Sequence, residues 1–362
     1  MGGNEQRYVQ EAFDTNWIAP LGPNVDAFEK DIANYIQADS HVAVLSSGTA
    51  SLHLGLILLG VKPGDEVLCQ SFTFSASANP ITYVGANPIF IDSERDTWNM
   101  CPILLEDAIK KRMAMGKKPA AIIGVHLYGM PYKVNEIQEI SLKYDIPVLE
   151  DSAEALGSMY HGIACGTFGD IAILSFNGNK IITTSGGGAL VTKSALVKQQ
   201  AVHLATQARD QAPHYQHSKI GHNYRMSNVL AGIGRGQMEV LGDRVAARRA
   251  NHAYYKEQLQ ELEHIEFLEE PKGFYSNRWL TCVLFTSFDE RELVRLSLEK
   301  ENIESRPLWK PMHLQPVFES CEHFTNGVSE DLFERGLCLP SGSNLALEDL
   351  ARITESIKSV VK

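Results

Sequence analysis

A lysine, Lys180, closes the segment Ser175-Phe176-Asn177-Gly178-Asn179-Lys180, between the apolar run Ile171 to Leu174 and the cluster Ser185-Gly186-Gly187-Gly188. That order places it on a short turn after a strand, inside an α/β core. An unpaired ammonium is costly to bury, so such a lysine usually has chemistry to do. A desolvated amine there suits covalent attack on an aldehyde, as in the Schiff base that joins an enzyme lysine to pyridoxal phosphate. A solvated turn lysine would have the same local sequence, so the rest of the chain must decide.

Other segments converge on the same cofactor. Leu45-Ser46-Ser47-Gly48-Thr49-Ala50-Ser51 ends one apolar run and opens a helical pattern. A helix N-terminus offers amides to phosphate, Gly48 permits close approach, and Thr49 and Ser175 add hydroxyls; an ordinary Ser/Thr cap reads identically. Asp151 follows the apolar run from Ile146 and opens Asp151-Ser152-Ala153-Glu154. At a strand end its carboxylate would hold a protonated pyridine nitrogen, or simply cap a helix. Glu154, three residues on, is within reach of cofactor or substrate. Phe74 in Ser71-Phe72-Thr73-Phe74 is placed to stack on a ring, with Phe72 as its rival.

The elements that must hold these residues alternate. Strands are predicted at Val42–Leu45, Val67–Cys69, Pro88–Asp92, Ala120–His126, Pro147–Glu150 and Ile171–Ser175. Helices are predicted at Ala50–Leu59, Ala76–Tyr83, Ile103–Met113 and Val134–Lys143. Such alternation builds a mostly parallel sheet covered by helices, with ligands at the carboxyl ends of the strands. The fold class is α/β, and the strand-end motifs together define a fold type I pyridoxal phosphate enzyme. A long helical stretch runs from Ser227 to about Glu261, although Gly232, Gly234, Gly236 and Gly242 weaken its first half. A smaller α+β region follows, with a strand at Leu280–Phe285 and helices at Glu290–Glu301 and Leu347–Val361. The division expected is a large domain over 1–235 and a small one over 236–362.

The 362 residues exceed one typical core, and 44% apolar with 21% charged residues is an ordinary globular composition. A net charge of −11 argues against nucleic acid or anionic membranes as partners. Six scattered cysteines without a Cys-x-x-Cys pair read as free thiols, not as a disulfide frame or a metal site. No apolar run approaches membrane-spanning length, and the polar start Gly3-Asn4-Glu5-Gln6-Arg7 has no signal-peptide core. A cytoplasmic enzyme is expected.

From Asn16-Trp17-Ile18-Ala19-Pro20 onward the chain resembles the DegT/StrS family of nucleotide-sugar aminotransferases. The matching segments are Gly48-Thr49-Ala50, Thr73-Phe74, Glu150 to Ala155, the lysine turn and Gly221-His222-Asn223-Tyr224-Arg225-Met226. The resemblance implies that Lys180 carries the cofactor and shuttles protons. Asp151 would hold the ring nitrogen, Phe74 the ring face, and Gly48, Thr49 and Ser175 the phosphate. Asn223 would reach the phosphate bound by a neighbouring subunit, which makes the expected assembly a homodimer with shared sites. Two departures, Ser185-Gly186-Gly187-Gly188 where relatives often have Gly-Glu-Gly-Gly and Glu154 where many have Gln, point to a subgroup or to a shifted substrate choice.

The implied reaction moves the amino group of L-glutamate, through pyridoxal and pyridoxamine phosphate, to a nucleotide-linked keto-sugar. Arg306-Pro307-Leu308-Trp309-Lys310-Pro311-Met312-His313 joins cations, an indole and a histidine in a Pro-bounded loop. Similarity to the branch acting on UDP-4-keto-6-deoxy-N-acetylhexosamines makes Lys310 and His313 substrate contacts, with Trp17, Ile18 and Ala19 lining the same cleft. Arg225 is a further candidate for a carboxylate or phosphate. GDP-4-keto-6-deoxymannose and dTDP-linked keto-sugars are the rival acceptors. A non-catalytic regulator that kept the fold would need a DNA-binding addition, for which the chain has no basic segment.

Overall fold

The structure, a computed structural model, describes residues 1–37, 39–262 and 265–361. Short runs such as His41-Val42-Ala43-Val44-Leu45 and Ile171-Ala172-Ile173-Leu174 are apolar at consecutive positions and rich in β-branched residues. Strands of that kind are buried on both faces. They form an eight-stranded sheet of β1 (His41–Leu45), β2 (Glu66–Gln70), β3 (Asn87–Ile91), β4 (Ala121–Val125), β5 (Val148–Asp151), β8 (Ile171–Ser175), β9 (Gly188–Thr192) and β14 (His323–Phe324). Two short strands, β6 (Met159–Tyr160) and β7 (Ile163–Ala164), lie between β5 and β8 in the chain.

The sheet order is β1-β9-β8-β5-β4-β2-β3-β14. Five neighbouring pairs are parallel, and β9 runs antiparallel to both β1 and β8. β5 and β8 are therefore adjacent and parallel, so Asp151 and Ser175 finish at the same edge. The helix Gly48–Leu58, apolar on all sides, is buried against β8 and β9. It begins where β1 ends, so its N-terminus opens at that edge too.

Later in the chain, β10 (Glu266–Phe267), β12 (Thr281–Leu284), β13 (Arg306–Pro307) and β15 (Gly336–Leu339) form an antiparallel sheet ordered β10-β12-β15-β13. Helices Phe288–Lys300 and Leu347–Val360 cover it, with Val283, Phe285, Val294, Leu298 and Ile353 in the core between them. Two segments cross back: β14 pairs with β3, and β11 (Phe274–Tyr275) pairs with β6.

The stretch expected as one helix is two, Asn228–Met238 and Leu241–Leu259. Residue 235, the expected domain division, lies inside the first of them. The glycines there serve close packing: a Cβ on Gly234 would come within 2.5 Å of the Phe28 ring. The helix forms because that approach buries it against helix Pro23–Ile36, which offsets the weak helical propensity of glycine. None of the helices described is long and apolar enough to cross a membrane.

Candidate active site

A cavity of about 930 Å³ opens at the carboxyl edge of β5 and β8. Gly48, Thr49 and Ser175 line one wall, and Asp151, Glu154 and Lys180 another. Ser47 caps the helix by accepting from the Ala50 amide at 2.9 Å. The amides of Gly48 and Thr49 precede that bond and belong to the turn whose donors no helical carbonyl satisfies. A Cβ on Gly48 would stand 3.0 Å from the Ser175 Cβ, so only glycine leaves the cradle open.

Asp151 is 4% exposed. It accepts from the Ser77 hydroxyl at 2.6 Å and from the Ala153 amide at 3.1 Å. Among the described residues it forms no salt bridge. Burial pushes its carboxyl above the usual range, opposed by Ser77, Ala153 and the nearby charge of Lys180. A buried carboxylate without an ion-pair partner, facing a cavity, fits the protonated ring nitrogen of pyridoxal phosphate.

Lys180 follows the β8 turn, and its Nζ lies 3.3 Å from Glu154 Oε1. The same amine stands 4.1 Å from the centre of the Trp279 ring. The indole is fixed: Trp279 Nε1 donates to the Asn179 carbonyl at 2.8 Å, and the Arg248 guanidinium donates to the Trp279 carbonyl. Glu154 also accepts from the Tyr128 amide at 2.7 Å. Burial raises the Glu154 carboxyl to about 7, against the lowering effect of Lys180 and the Tyr128 amide.

Phe74 is half-exposed at the cavity, 5.4 Å from the Trp309 ring, whereas Phe72 is fully buried in the core with Leu127 and Tyr128. Of the two aromatics, Phe74 is the one that lines the cavity.

Several expected contacts lie elsewhere. Arg225 faces away: its guanidinium donates to Glu29 at 2.6 Å and to the Val44 carbonyl at 2.8 Å, so its charge is already matched. His313 is buried, with Nδ1 2.6 Å from the Ser71 hydroxyl and Nε2 3.2 Å from Glu330. It braces the loop and is not among the lining residues. Lys310 is not among them either; from that loop, Arg306, Pro307 and Trp309 line the cavity. Trp17, Ile18 and Ala19 are exposed and outside this chain's cavity, with Trp17 and Ala19 carbonyls held by Asn228. Asn223 is also exposed and outside it, bridged to Thr206.

Sequence reasoning missed Ser77, Tyr128 and Trp279. Ser77 had a signal, since it falls in the first turn of the helix that follows Phe74. Trp279 and Tyr128 had none, because they come to the lysine from distant parts of the chain.

Fold and cavity together define a fold type I, pyridoxal phosphate-dependent transferase. Residues 1–358 match the DegT/DnrJ/EryC1/StrS aminotransferase family, and the chain belongs to it. EpsN of Bacillus subtilis (strain 168), provisionally named a pyridoxal phosphate-dependent aminotransferase, is 51% identical over 360 residues, covering 98% of this chain and 92% of its own. A GDP-perosamine synthase of Escherichia coli O157:H7 is 38% identical over 98% of this chain and 95% of its own. A solved structure of Spr1654 from Streptococcus pneumoniae, provisionally named a sugar aminotransferase and in its PLP form, superposes with a TM-score of 0.91. That match has 28% identity and covers 99% of this chain and 96% of the other. The chain is thus a pyridoxal phosphate-dependent sugar aminotransferase.

Proposed function

We propose that the enzyme transfers the amino group of L-glutamate to C4 of a nucleotide-linked 4-keto-6-deoxy sugar, with UDP-4-keto-6-deoxy-N-acetylglucosamine as acceptor. One observation carries the transaminase half: the Lys180 amine, the Asp151 carboxylate and the open helix N-terminus at Gly48 and Thr49 face one cavity. Gly48, Thr49 and Ser175 hold the cofactor phosphate, Asp151 its ring nitrogen, Phe74 a ring face, and Glu154 lies beside the lysine. Bound there, pyridoxal phosphate supplies an electron sink for charge at the carbon bearing the transferred nitrogen.

Lys180 does the proton work. Its free amine takes the α-proton of glutamate in one half-reaction and delivers a proton to C4 of the sugar in the other. Glu154, which titrates at about 7, accepts a hydrogen bond from the ammonium form of that amine. Trp279 limits the space in which the amine moves.

The acceptor reading rests on the cavity's extent and on the loop. The cavity runs past the cofactor wall to Arg306, Trp309 and Arg352, which gives room for a second, larger ligand and cations for a diphosphate. From the segment Arg306 to His313, likened above to the UDP-sugar branch, Arg306, Pro307 and Trp309 line that part of the cavity. GDP-4-keto-6-deoxymannose is the second reading, favoured by the relative named GDP-perosamine synthase. In the proposed homodimer, Asn223 and the exposed Trp17–Ala19 segment serve the partner's cavity, and the enzyme works in the cytoplasm.

The test is a panel of nucleotide keto-sugars with L-glutamate, followed by 2-oxoglutarate release. Turnover of the UDP-linked 4-keto sugar supports the first reading. Turnover confined to GDP- or dTDP-sugars overturns it.

A further inference from the structure

Tyr128 is buried, yet its backbone is left-handed, with φ 53° and ψ 21°. For a bulky residue that conformation is unfavourable and persists only where its surroundings impose it. The turn holding it follows β4 and is fixed on both sides. Asn99 accepts from the Leu127 amide at 3.0 Å and donates to the Met130 carbonyl at 2.9 Å.

The conformation aims two groups of one residue at different parts of the site. The Tyr128 amide donates to Glu154 Oε2 at 2.7 Å, on the carboxylate whose other oxygen meets Lys180. The Tyr128 hydroxyl accepts from the Trp309 amide at 3.0 Å, on the loop whose Arg306 and Trp309 line the far wall. The phenol ring packs between them, 5.0 Å from the Trp309 ring and 6.4 Å from Trp279, onto which it stacks. An ordinary helical or extended φ would turn the amide away from Glu154 while the ring stayed in its slot.

We propose that Tyr128 is a positioning residue that ties the cofactor-side carboxylate Glu154 to the acceptor-facing loop 306–312. Its phenol sets the place of Trp309 and with it acceptor binding, while its amide holds Glu154 whatever the side chain. The two functions are therefore separable by substitution. The acceptor part rests on the sugar-aminotransferase reading given above.

Tyr128→Phe keeps the ring and the backbone and removes only the acceptor oxygen for Trp309. In the holoenzyme, hydrogen exchange at the Trp309 amide should quicken by about tenfold, the scale of one hydrogen bond lost. The KM for whichever panel acceptor turns over should rise by a similar factor, with kcat within about twofold. Conversion of the holoenzyme by L-glutamate alone, read from its absorption, should also stay within about twofold, because the Glu154 contact is kept. A purely structural role would lower the melting temperature and quicken the Trp309 exchange without raising the acceptor KM. Unchanged Trp309 exchange overturns the proposal, and so does a glutamate conversion that slows as much as the acceptor reaction. Exchange and glutamate conversion need no sugar, so failure of every panel acceptor would sink the substrate reading and leave this proposal decidable.

Discussion

The amine of Lys180 stands 4.1 Å from the centre of the Trp279 ring, an indole contributed by the bend just before β12. A cation over an aromatic face in a desolvated site is worth about 2 kcal/mol. The contact holds the lysine side chain in place beside Glu154. Replacing Trp279 by Leu removes both the face and the Nε1 bond to Asn179. Activity should fall by about tenfold or more on that scale, while Trp279→Phe should keep most of it. Steady-state kinetics of the two variants compared with wild type checks this; equal losses would point to packing alone.

Asp151 has hydrogen-bond donors but no ion-pair partner among the described residues, so a bound cation should matter greatly to it. Asp151→Asn keeps the shape and removes the charge. Cofactor affinity and kcat should both drop, kcat by about a hundredfold or more, if the ring nitrogen then loses its proton. Cofactor titration and turnover of the purified variant measure both, and the melting temperature should change little.

Glu154 gives a pH signature. Its folded pKa, about 7, is above its ordinary 4.5. The neutral form is therefore the one the fold favours, and its contribution is complete below pH 4.5. It is lost as pH rises through about 7. Between those limits wild-type stability should decline relative to Glu154→Gln, which cannot titrate. Denaturant unfolding of the cofactor-free proteins at pH 5 and pH 8 compares them, and parallel slopes would contradict the assignment.

Arg225 belongs to the frame and not to the site. Its guanidinium is buried against Glu29, which Lys198 also approaches at 2.6 Å. Arg225→Ala leaves part of that carboxylate unmatched and should cost about 3 kcal/mol of stability. The KM values for both substrates should stay near wild type. Chemical unfolding and kinetics separate the two effects.

What the sequence discloses and conceals follows from range. The strands carrying Asp151 and Ser175 are legible because consecutive apolar residues mark buried parallel strands, and polar residues at their ends fall at one edge. Lys180 is legible for the same reason. Trp279 is not, since its contact with Lys180 joins distant parts of the chain. For His313 and Lys310 the sequence does not choose: a histidine and a lysine in a proline-bounded loop look the same whether they face a ligand or brace the loop. Here His313 turns to Ser71, and Arg306 and Trp309 take the cavity wall. The glycines at 232, 234 and 236 mislead, because their cost to a helix is visible locally and the close packing that offsets it is not.

The central claim is that Lys180 is the residue that binds the cofactor covalently. The most direct measurement is borohydride reduction of the holoenzyme, followed by peptide mapping. The account predicts a stable cofactor adduct on the peptide containing Lys180, and none when L-glutamate is added before the reductant. An adduct on another lysine, or no adduct on a protein that has bound pyridoxal phosphate, would contradict it.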